Sequence, residues 1–423
     1  MNKLLLKICL AVSPFALFPE MNTRDPKEIL CLSLVLAISM VTIYQGEIKK
    51  FTNKWLLSLV GFCFASMVLA PKFVTHKLAY FATQRDFQLY DISASHYNVW
   101  MFKPLYYVMV YFLFIICVSS IKFKSNDISH ITNIISRTGA ITSFYIFVQH
   151  FNIDQIFRKV TEEAHPYING VETPLLGSFL GNSTLASAFI LIAIPFMFYR
   201  KHYFSVIASI IAIILTKSTV AVVGICFILT IQGYYSLIKR KVKKYIIVLI
   251  TVLIIASLGI GYKVSFDSHK DFSSKLLTAS SGRFGVWKIA IDEWKREQTP
   301  TSLRKFSLSG LGPGSYRYVV PLKYKTRFLE LHCEPMELLF NVGLIGFILF
   351  IMSLFYMLKQ AFKYLAQIID NDLVATLLIS FTASLFTACF TLTWQLPTTL
   401  FLTTVIVGLL HNEELLTRSY NYE

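Results

Sequence analysis

The chain has 423 residues, of which 55% are hydrophobic and only 15% are charged, and its mean hydropathy is +0.58. Soluble domains carry about a quarter charged residues, so this composition excludes an ordinary soluble protein and indicates an integral membrane protein. The formal net charge of +16 fits basic cytoplasmic loops on a surface of anionic membrane lipids and does not imply a nucleic-acid partner.

Apolar runs long enough to cross a bilayer recur along the whole chain. They do not alternate as the strands of an outer-membrane barrel do, so the predicted fold is an all-α bundle of about twelve transmembrane helices. The predicted spans are 4–18, 29–46, 54–74, 100–121, 131–150, 180–199, 203–217, 219–237, 244–263, 336–358, 373–393 and 395–411.

The segments between the spans differ in charge. With a cytoplasmic amino terminus, every cytoplasmic loop carries Lys or Arg, as the positive-inside rule requires. The longest outer segment, 264–335, holds twelve basic and seven acidic residues and predicts an anionic partner in the periplasm. The expected organisation is nine spans in 1–263, the periplasmic loop 264–335, three spans in 336–411 and a cytoplasmic tail at 412–423, all in the bacterial inner membrane.

Within the outer loop, four apolar residues recur at helical spacing: Phe284, Trp287, Ile291 and Trp294. The pattern predicts an amphipathic helix that rests on the membrane or on the bundle. Ser280 or Ser281 suits the cap of such a helix, and its start with Arg283 beside it would be a ready anion site. A purely structural amphipathic helix is the alternative.

The outer loop meets the tenth span at Leu331-His332-Cys333-Glu334-Pro335. A histidine at this boundary sits where a membrane-embedded substrate meets water, and imidazole is the side chain best suited to take a proton near neutral pH. His332 is therefore the candidate base, with a structural histidine as the alternative.

A metal-dependent transferase is the competing hypothesis for Asp370-Asn371-Asp372, which resembles a D-x-D triplet. The predicted topology puts the triplet in a cytoplasmic turn, where a helix cap is the simpler interpretation. No convergent ligand set and no phosphate-binding glycine loop occur in the sequence. We predict neither a metal nor another cofactor.

Four segments carry a family resemblance. They are His332-Cys333 followed after nine residues by Gly343-x-x-Gly346, Ser281-Gly282-Arg283 followed by Trp287, the glycine-rich run 310–314, and 177–182. The first resembles the H-[NSQ]-x9-G-x-x-G signature of the O-antigen ligase and O-oligosaccharyltransferase family, and the others are similar to segments of the same family. The resemblance covers roughly residues 150–350.

The resemblance implies a GT-C-like membrane transferase that moves a glycan en bloc from undecaprenyl pyrophosphate to an acceptor hydroxyl in the periplasm. It implies that His332 is the base or positions the acceptor, and that Arg283 contacts the pyrophosphate. The other candidates for substrate binding are Lys217, Arg317, Gly312 and Gly314. Turn glycines and a solvated charge run are the alternatives for the last three.

Two positions depart from the family pattern. Cys333 stands where Asn, Ser or Gln is usual, so a hydrogen bond from that side chain would be weak. Lys217 stands in the segment between the seventh and eighth spans, where the family commonly has Arg. It serves either as a point charge for the substrate or as a lysine that reaches the membrane interface.

The predicted function is a metal-independent, inverting ligase that joins undecaprenyl-linked O-antigen to lipid A–core. An O-antigen polymerase and a protein O-oligosaccharyltransferase stay open within the same class, and a flippase of lipid-linked glycans outside it. A transporter should show pseudo-symmetric halves and ionisable groups at mid-membrane, whereas the candidate residues cluster at one face.

Overall fold

The fold is helical, as the sequence predicts. A computed structural model describes residues 2–15, 24–46, 48–49, 51–69, 94–153, 162–163, 175–176, 178–180, 183–216, 218–239, 287–288, 291, 308, 310, 331–367, 372–391, 393–394 and 396–417. Apart from one antiparallel pair of two-residue strands, β1 (Glu162–Glu163) and β2 (Leu175–Leu176), the regular elements of these residues are helices.

Eleven of the twelve predicted spans coincide with a helix. The helices of the described residues are α1 (Asn2–Val12), α2 (Arg24–Tyr44), α3 (Lys54–Leu69), α4 (Ala94–Ser120), α5 (Ser125–His150), α6 (Ser183–Tyr199), α7 (Tyr203–Leu215), α8 (Thr219–Lys239), α9 (Glu334–Gln367), α10 (Asp372–Ala388), α11 (Pro397–Leu410) and α12 (Glu413–Thr417). The ninth predicted span, 244–263, lies outside the described residues. Short α12 occupies part of the predicted tail.

Two stretches of the described residues are long and apolar enough to cross a membrane, Val220–Leu237 and Glu334–Lys363. Seven shorter apolar helices lie at other predicted spans, so the count of twelve crossings stays a prediction. Helix α1 ends before the predicted limit at residue 18. Pro14 lies in the 3₁₀ turn Ser13–Phe15 that follows, and proline has no N–H to continue the helical hydrogen bonds.

The first of two compact units comprises Met1–Lys50, Leu113–Ser268 and Lys359–Glu423. Helix α6 is buried on every side from Ala186 to Met197, as expected of a helix that is apolar all round. Gly139 of α5 lets this helix approach closely, since a Cβ added there would lie 2.5 Å from the Cβ of Ala193. Small residues at helix contacts are typical of membrane bundles.

Buried hydroxyl pairs join neighbouring helices of this unit. The pairs are Ser143–Ser209 at 2.8 Å, Ser187–Thr216 at 2.8 Å and Ser384–Thr403 at 2.7 Å between oxygens. In an apolar bundle each such bond stabilises the packing by about 0.6 kcal/mol. The first unit is therefore held by many small, regular contacts.

The ion pairs of the first unit join segments that the predicted topology puts on the cytoplasmic side, except that Lys7 falls near the start of the predicted span 4–18. Asp127 binds Lys3 at 3.1 Å and Lys7 at 2.9 Å. Burial alone would raise the pKa of Asp127, but its hydrogen bonds from Lys7, the Lys124 backbone and Lys3 lower the pKa to about 2. Helix α1 is thereby tied to the start of α5.

Two further ion pairs also join segments that are predicted to be cytoplasmic. Lys49 binds Glu414 at 3.0 Å, and Lys239 binds Asp372 at 2.7 Å. Asp372 also accepts a hydrogen bond of 2.8 Å from the Tyr235 hydroxyl. Because Asp372 begins α10 and has these partners, the part of the D-x-D triplet that the structure describes has a structural explanation.

The second unit comprises Phe51–Phe112 and His269–Leu358. Antiparallel contacts join α3 to α9 at two places. The Asn53 amide donates to the carbonyl and hydroxyl oxygens of Ser353, both at 3.3 Å, and the Ser66 hydroxyl donates to the Asn341 carbonyl at 3.3 Å. Between these points lies an apolar core centred on Leu59, Cys63, Leu105 and Val342.

Candidate functional site

The candidate site lies in the second unit, where the outer loop enters α9. His332 is half-buried and stands between two buried residues, Leu331 at 1% and Cys333 at 6% exposure. Its backbone has φ +50°, in the left-handed region that a residue with a side chain adopts only at a cost of about 1–3 kcal/mol. Neighbouring groups must therefore hold this turn.

One of these groups is Trp287, whose indole Nε1–H donates to the Leu331 carbonyl at 2.7 Å. Trp287 is half-buried and helical, and the neighbouring Lys288 is helical and exposed. Both positions agree with the predicted amphipathic helix, although Ile291, which was expected on its covered face, is exposed. The bond connects two motifs that are 44 residues apart.

Helix α9 begins at Glu334, two residues after His332. Pro335 occupies its second position, which suits a residue with fixed φ and no N–H, and the first α-helical hydrogen bond runs from the Glu337 N–H to the Cys333 carbonyl at 2.9 Å. Glu334 and Glu337 are acidic residues in the first turn, where the helix dipole favours negative charge. Both are buried, so the start of α9 offers an imidazole followed by two shielded carboxyl groups.

Gly343, the first glycine of the signature, breaks the helical geometry of α9 with φ +67° and ψ −171°. A Cβ there would lie 2.5 Å from the Leu308 carbonyl oxygen, and a Cβ on Gly310 would lie 2.5 Å from the Gly343 nitrogen. Gly310 itself has φ +74°. Both positions thus need glycine for conformation and for space, and Gly310, the first residue of the glycine-rich run, meets Gly343 of the signature through backbone atoms.

Helix α3 supports this kink. A break in a helix frees a carbonyl from its i+4 partner, and within a membrane a hydroxyl side chain commonly satisfies such a group. The Ser66 hydroxyl does so for Asn341. Val342 packs into the apolar core beside Cys63, and a Cβ on Gly346 would lie 3.3 Å from the Phe62 ring. The two glycines of the signature therefore set how α9 lies on α3.

Among the predicted site residues, His332 is described and its surroundings are given above. The other five lie outside the described residues: Arg283, Lys217, Arg317, Gly312 and Gly314. Their gathering around His332 stays a prediction. The structure instead brings together Trp287 with Leu331 and Gly310 with Gly343, which are pairs of motif segments that the sequence does not show to be in contact.

Sequence reasoning assigned no functional role to four residues of this region: Trp287, Gly310, Glu334 and Glu337. Helical spacing and the glycine-rich run did single out the first two. Glu334 and Glu337 could have been noticed from the sequence, because they lie in the first predicted turn after a candidate catalytic histidine. Ser66 had none, because one serine in an apolar run does not reveal which carbonyl it meets.

Comparison with protein families gives one finding. Residues 204–351 match the family model described as O-antigen ligase, which is roughly a third of the chain. The matched range includes His332, Gly343 and Gly346 and begins in α7. No curated protein matches the chain.

Proposed function

We propose that the chain is a member of the O-antigen ligase family, whose model matches residues 204–351, and that it is a membrane glycosyltransferase acting on lipid-linked glycans. The donor is a glycan on undecaprenyl pyrophosphate, and the acceptor is a hydroxyl of lipid A–core. The glycan moves en bloc, on the periplasmic side of the inner membrane. No metal takes part in the proposed reaction.

The observation that carries the proposal is the backbone at His332. A left-handed histidine at the mouth of an apolar helix, with buried residues on both sides, is conformationally expensive. Such strain persists where the surroundings over-determine it, and functional sites are where it concentrates. The position suits a group that must meet a substrate whose lipid lies in the membrane and whose sugars lie in water.

The proposed reaction is a single displacement. The acceptor hydroxyl gives its proton to His332 as its oxygen attacks the anomeric carbon of the donor. The bond between that carbon and the pyrophosphate oxygen breaks, and undecaprenyl pyrophosphate leaves with the electron pair. Attack from the face opposite the leaving group inverts the anomeric configuration.

Cations would stabilise the leaving group. Negative charge grows on the pyrophosphate in the transition state, and guanidinium neutralises it through paired, charge-assisted hydrogen bonds. Arg283 is the first candidate, since it lies four residues before Trp287. Arg317 is the second, and Lys217 offers a point charge. Gly312 and Gly314 would let backbone approach the sugars.

The ion pairs of the first unit agree with the predicted number of crossings between their segments. Two loops on the same side of a membrane are separated by an even number of crossings. The predicted topology has four spans between Lys3 and Asp127, ten between Lys49 and Glu414, and two between Lys239 and Asp372, and each of these pairs is in contact. The proposed topology therefore satisfies all three contacts.

The test is complementation in bacterial strains that lack either the O-antigen ligase or the O-antigen polymerase. The ligase proposal expects full-length, modal O-antigen to return to the core in the first strain, with His332→Ala as the inactive control. Long chains replacing single-repeat caps in the second strain would indicate a polymerase instead. If neither strain is rescued although the protein is in the membrane, transfer between these substrates is not its function.

A further inference from the structure

We propose that Trp287 is a positioning residue: its indole N–H holds the peptide that presents the His332 side chain. The inference rests on the proposed function for the consequence in catalysis. The geometric part stands on the structure of the second unit alone.

The indole hydrogen bond acts on the peptide plane that joins Leu331 to His332. The Leu331 carbonyl oxygen, which accepts the indole hydrogen bond at 2.7 Å, belongs to the same rigid plane as the nitrogen of His332. Holding that oxygen therefore holds the peptide plane that contains the His332 nitrogen, and φ of His332 is the rotation about the bond from this nitrogen to Cα. In this way Trp287 restrains the φ torsion of His332, which is +50°.

On its carboxyl-terminal side, His332 is joined to the start of α9. The Cys333 carbonyl accepts the Glu337 N–H at 2.9 Å and is part of the rigid start of α9. His332 is thus the single residue between an anchored helix and an anchored peptide. Holding both neighbours restrains the left-handed conformation, and loss of the Trp287 bond removes one of these restraints, which favours relaxation toward an ordinary conformation.

The residue that accepts the indole hydrogen bond is buried. Leu331 is 1% exposed, so water cannot readily replace the indole as the donor to its carbonyl. A buried carbonyl that loses its donor favours a rearranged backbone that finds another one. Removing the N–H should therefore move the imidazole, without an equivalent effect at histidines elsewhere in the chain.

The test compares full-length wild-type protein with Trp287→Phe, which keeps an aromatic ring and loses the donor. A second variant carries at position 287 a tryptophan analogue with sulfur in place of the indole N–H, so that shape is retained if the phenylalanine variant does not accumulate. Trp55→Phe, in α3 of the same unit, is the matched control. Each protein is reconstituted in lipid nanodiscs.

The first readout is the rate at which diethyl pyrocarbonate modifies each histidine, followed by mass spectrometry. We expect the rate at His332 to change by about threefold or more in both 287 variants, with the exposed His130 and His150 as internal references that do not change. An unchanged rate at His332 would overturn the proposal, as would equal changes at all three histidines.

The second readout is glycan transfer. Loss of positioning should lower kcat roughly 5–30-fold with KM for the donor nearly constant, while Trp55→Phe keeps wild-type values. A changed His332 modification rate in a protein whose wild-type form transfers no glycan would sink the proposed function and leave the positioning role standing. A normal kcat in both 287 variants would refute the positioning role in catalysis.

Discussion

The two compact units differ in how their helices are held. In the first unit, hydroxyl pairs and ion pairs join straight helices through side chains, as between Ser143 and Ser209 or between Lys7 and Asp127. At the start of α9 in the second unit, the contacts involve backbone: Gly310 lies against Gly343, and the Leu331 carbonyl accepts the Trp287 indole N–H. Side-chain contacts of the first kind are individually replaceable, whereas a backbone crossing fixes one geometry.

Left-handed residues sharpen this difference. Asn152 and Lys201 of the first unit have φ +56° and +59° and lie two residues after the last residue of a helix, where such a residue commonly ends a helix. Ser178 of the same unit has φ +51°, and its N–H donates to the Gln149 side chain at 2.7 Å. His332 has φ +50° and precedes a helix instead. Its conformation is not explained as a helix end, and the proposed function gives it a role. The predictions below test this contrast.

The largest effect is expected for His332→Ala. Loss of a general base typically slows a reaction 10²–10⁴-fold, while membrane abundance and donor binding should be nearly unchanged because the residue acts on the acceptor. The measurement is steady-state transfer by reconstituted protein. His130→Ala, at an exposed position of α5, is the control. Wild-type turnover by His332→Ala would remove the functional explanation of the strained backbone.

The next effect is expected for Gly343→Ala. A side chain there meets the Leu308 carbonyl and a positive φ, so we expect destabilisation by about 2–4 kcal/mol, seen as a lower Tm in detergent and reduced transfer. Gly61→Ala in α3 is the matched control, because a Cβ there has nothing within 4 Å and alanine favours a helix. Equal Tm values for the two variants would mean that α9 tolerates a side chain at the kink.

A smaller effect is expected for Arg283→Lys, which keeps the charge and loses the two-pronged contact. Removal of a charge-assisted hydrogen bond costs roughly 1.5–3 kcal/mol, or about 10–150-fold in rate. Lys217→Ala measured beside it would show which cation matters more. If Arg283→Ala and Arg283→Lys both transfer at the wild-type rate, the segment around residue 283 is a structural amphipathic helix.

The smallest effect belongs to the first unit. In that unit the folded pKa of Asp127 is about 2, below the ordinary value of 3.8. Asp127 therefore stabilises the fold above pH 3.8 and loses this contribution as the pH falls toward 2. Asp127→Asn should lower Tm by about 2–4 °C at pH 7 and leave glycan transfer unchanged. The gap in Tm between the wild-type protein and this variant should close on acidification. Glu413→Gln, at an exposed acid, is the control. A gap that widens on acidification would contradict the assignment.

The sequence predicted the helices well because apolar length and charged loops are local signals. Motif spacing also singled out His332, Gly343 and Trp287, and the catalytic role of His332 stays a prediction. The sequence could not show that Gly310 meets Gly343, or that Trp287 reaches Leu331, because those contacts join segments more than 30 residues apart. The shortening of α1 at Pro14 shows the reverse case, in which a local feature was present but the apolar run was given more weight.

The most direct test of the central claim is the pH dependence of kcat/KM for glycan transfer by wild-type protein and His332→Ala. A histidine base must be neutral to accept the proton, so wild-type activity should fall on the acid side within about pH 5–8, where imidazoles titrate. The small residual activity of His332→Ala should lack that inflection. An acid limb that is the same in both proteins would contradict the account, because another group would then be taking the proton.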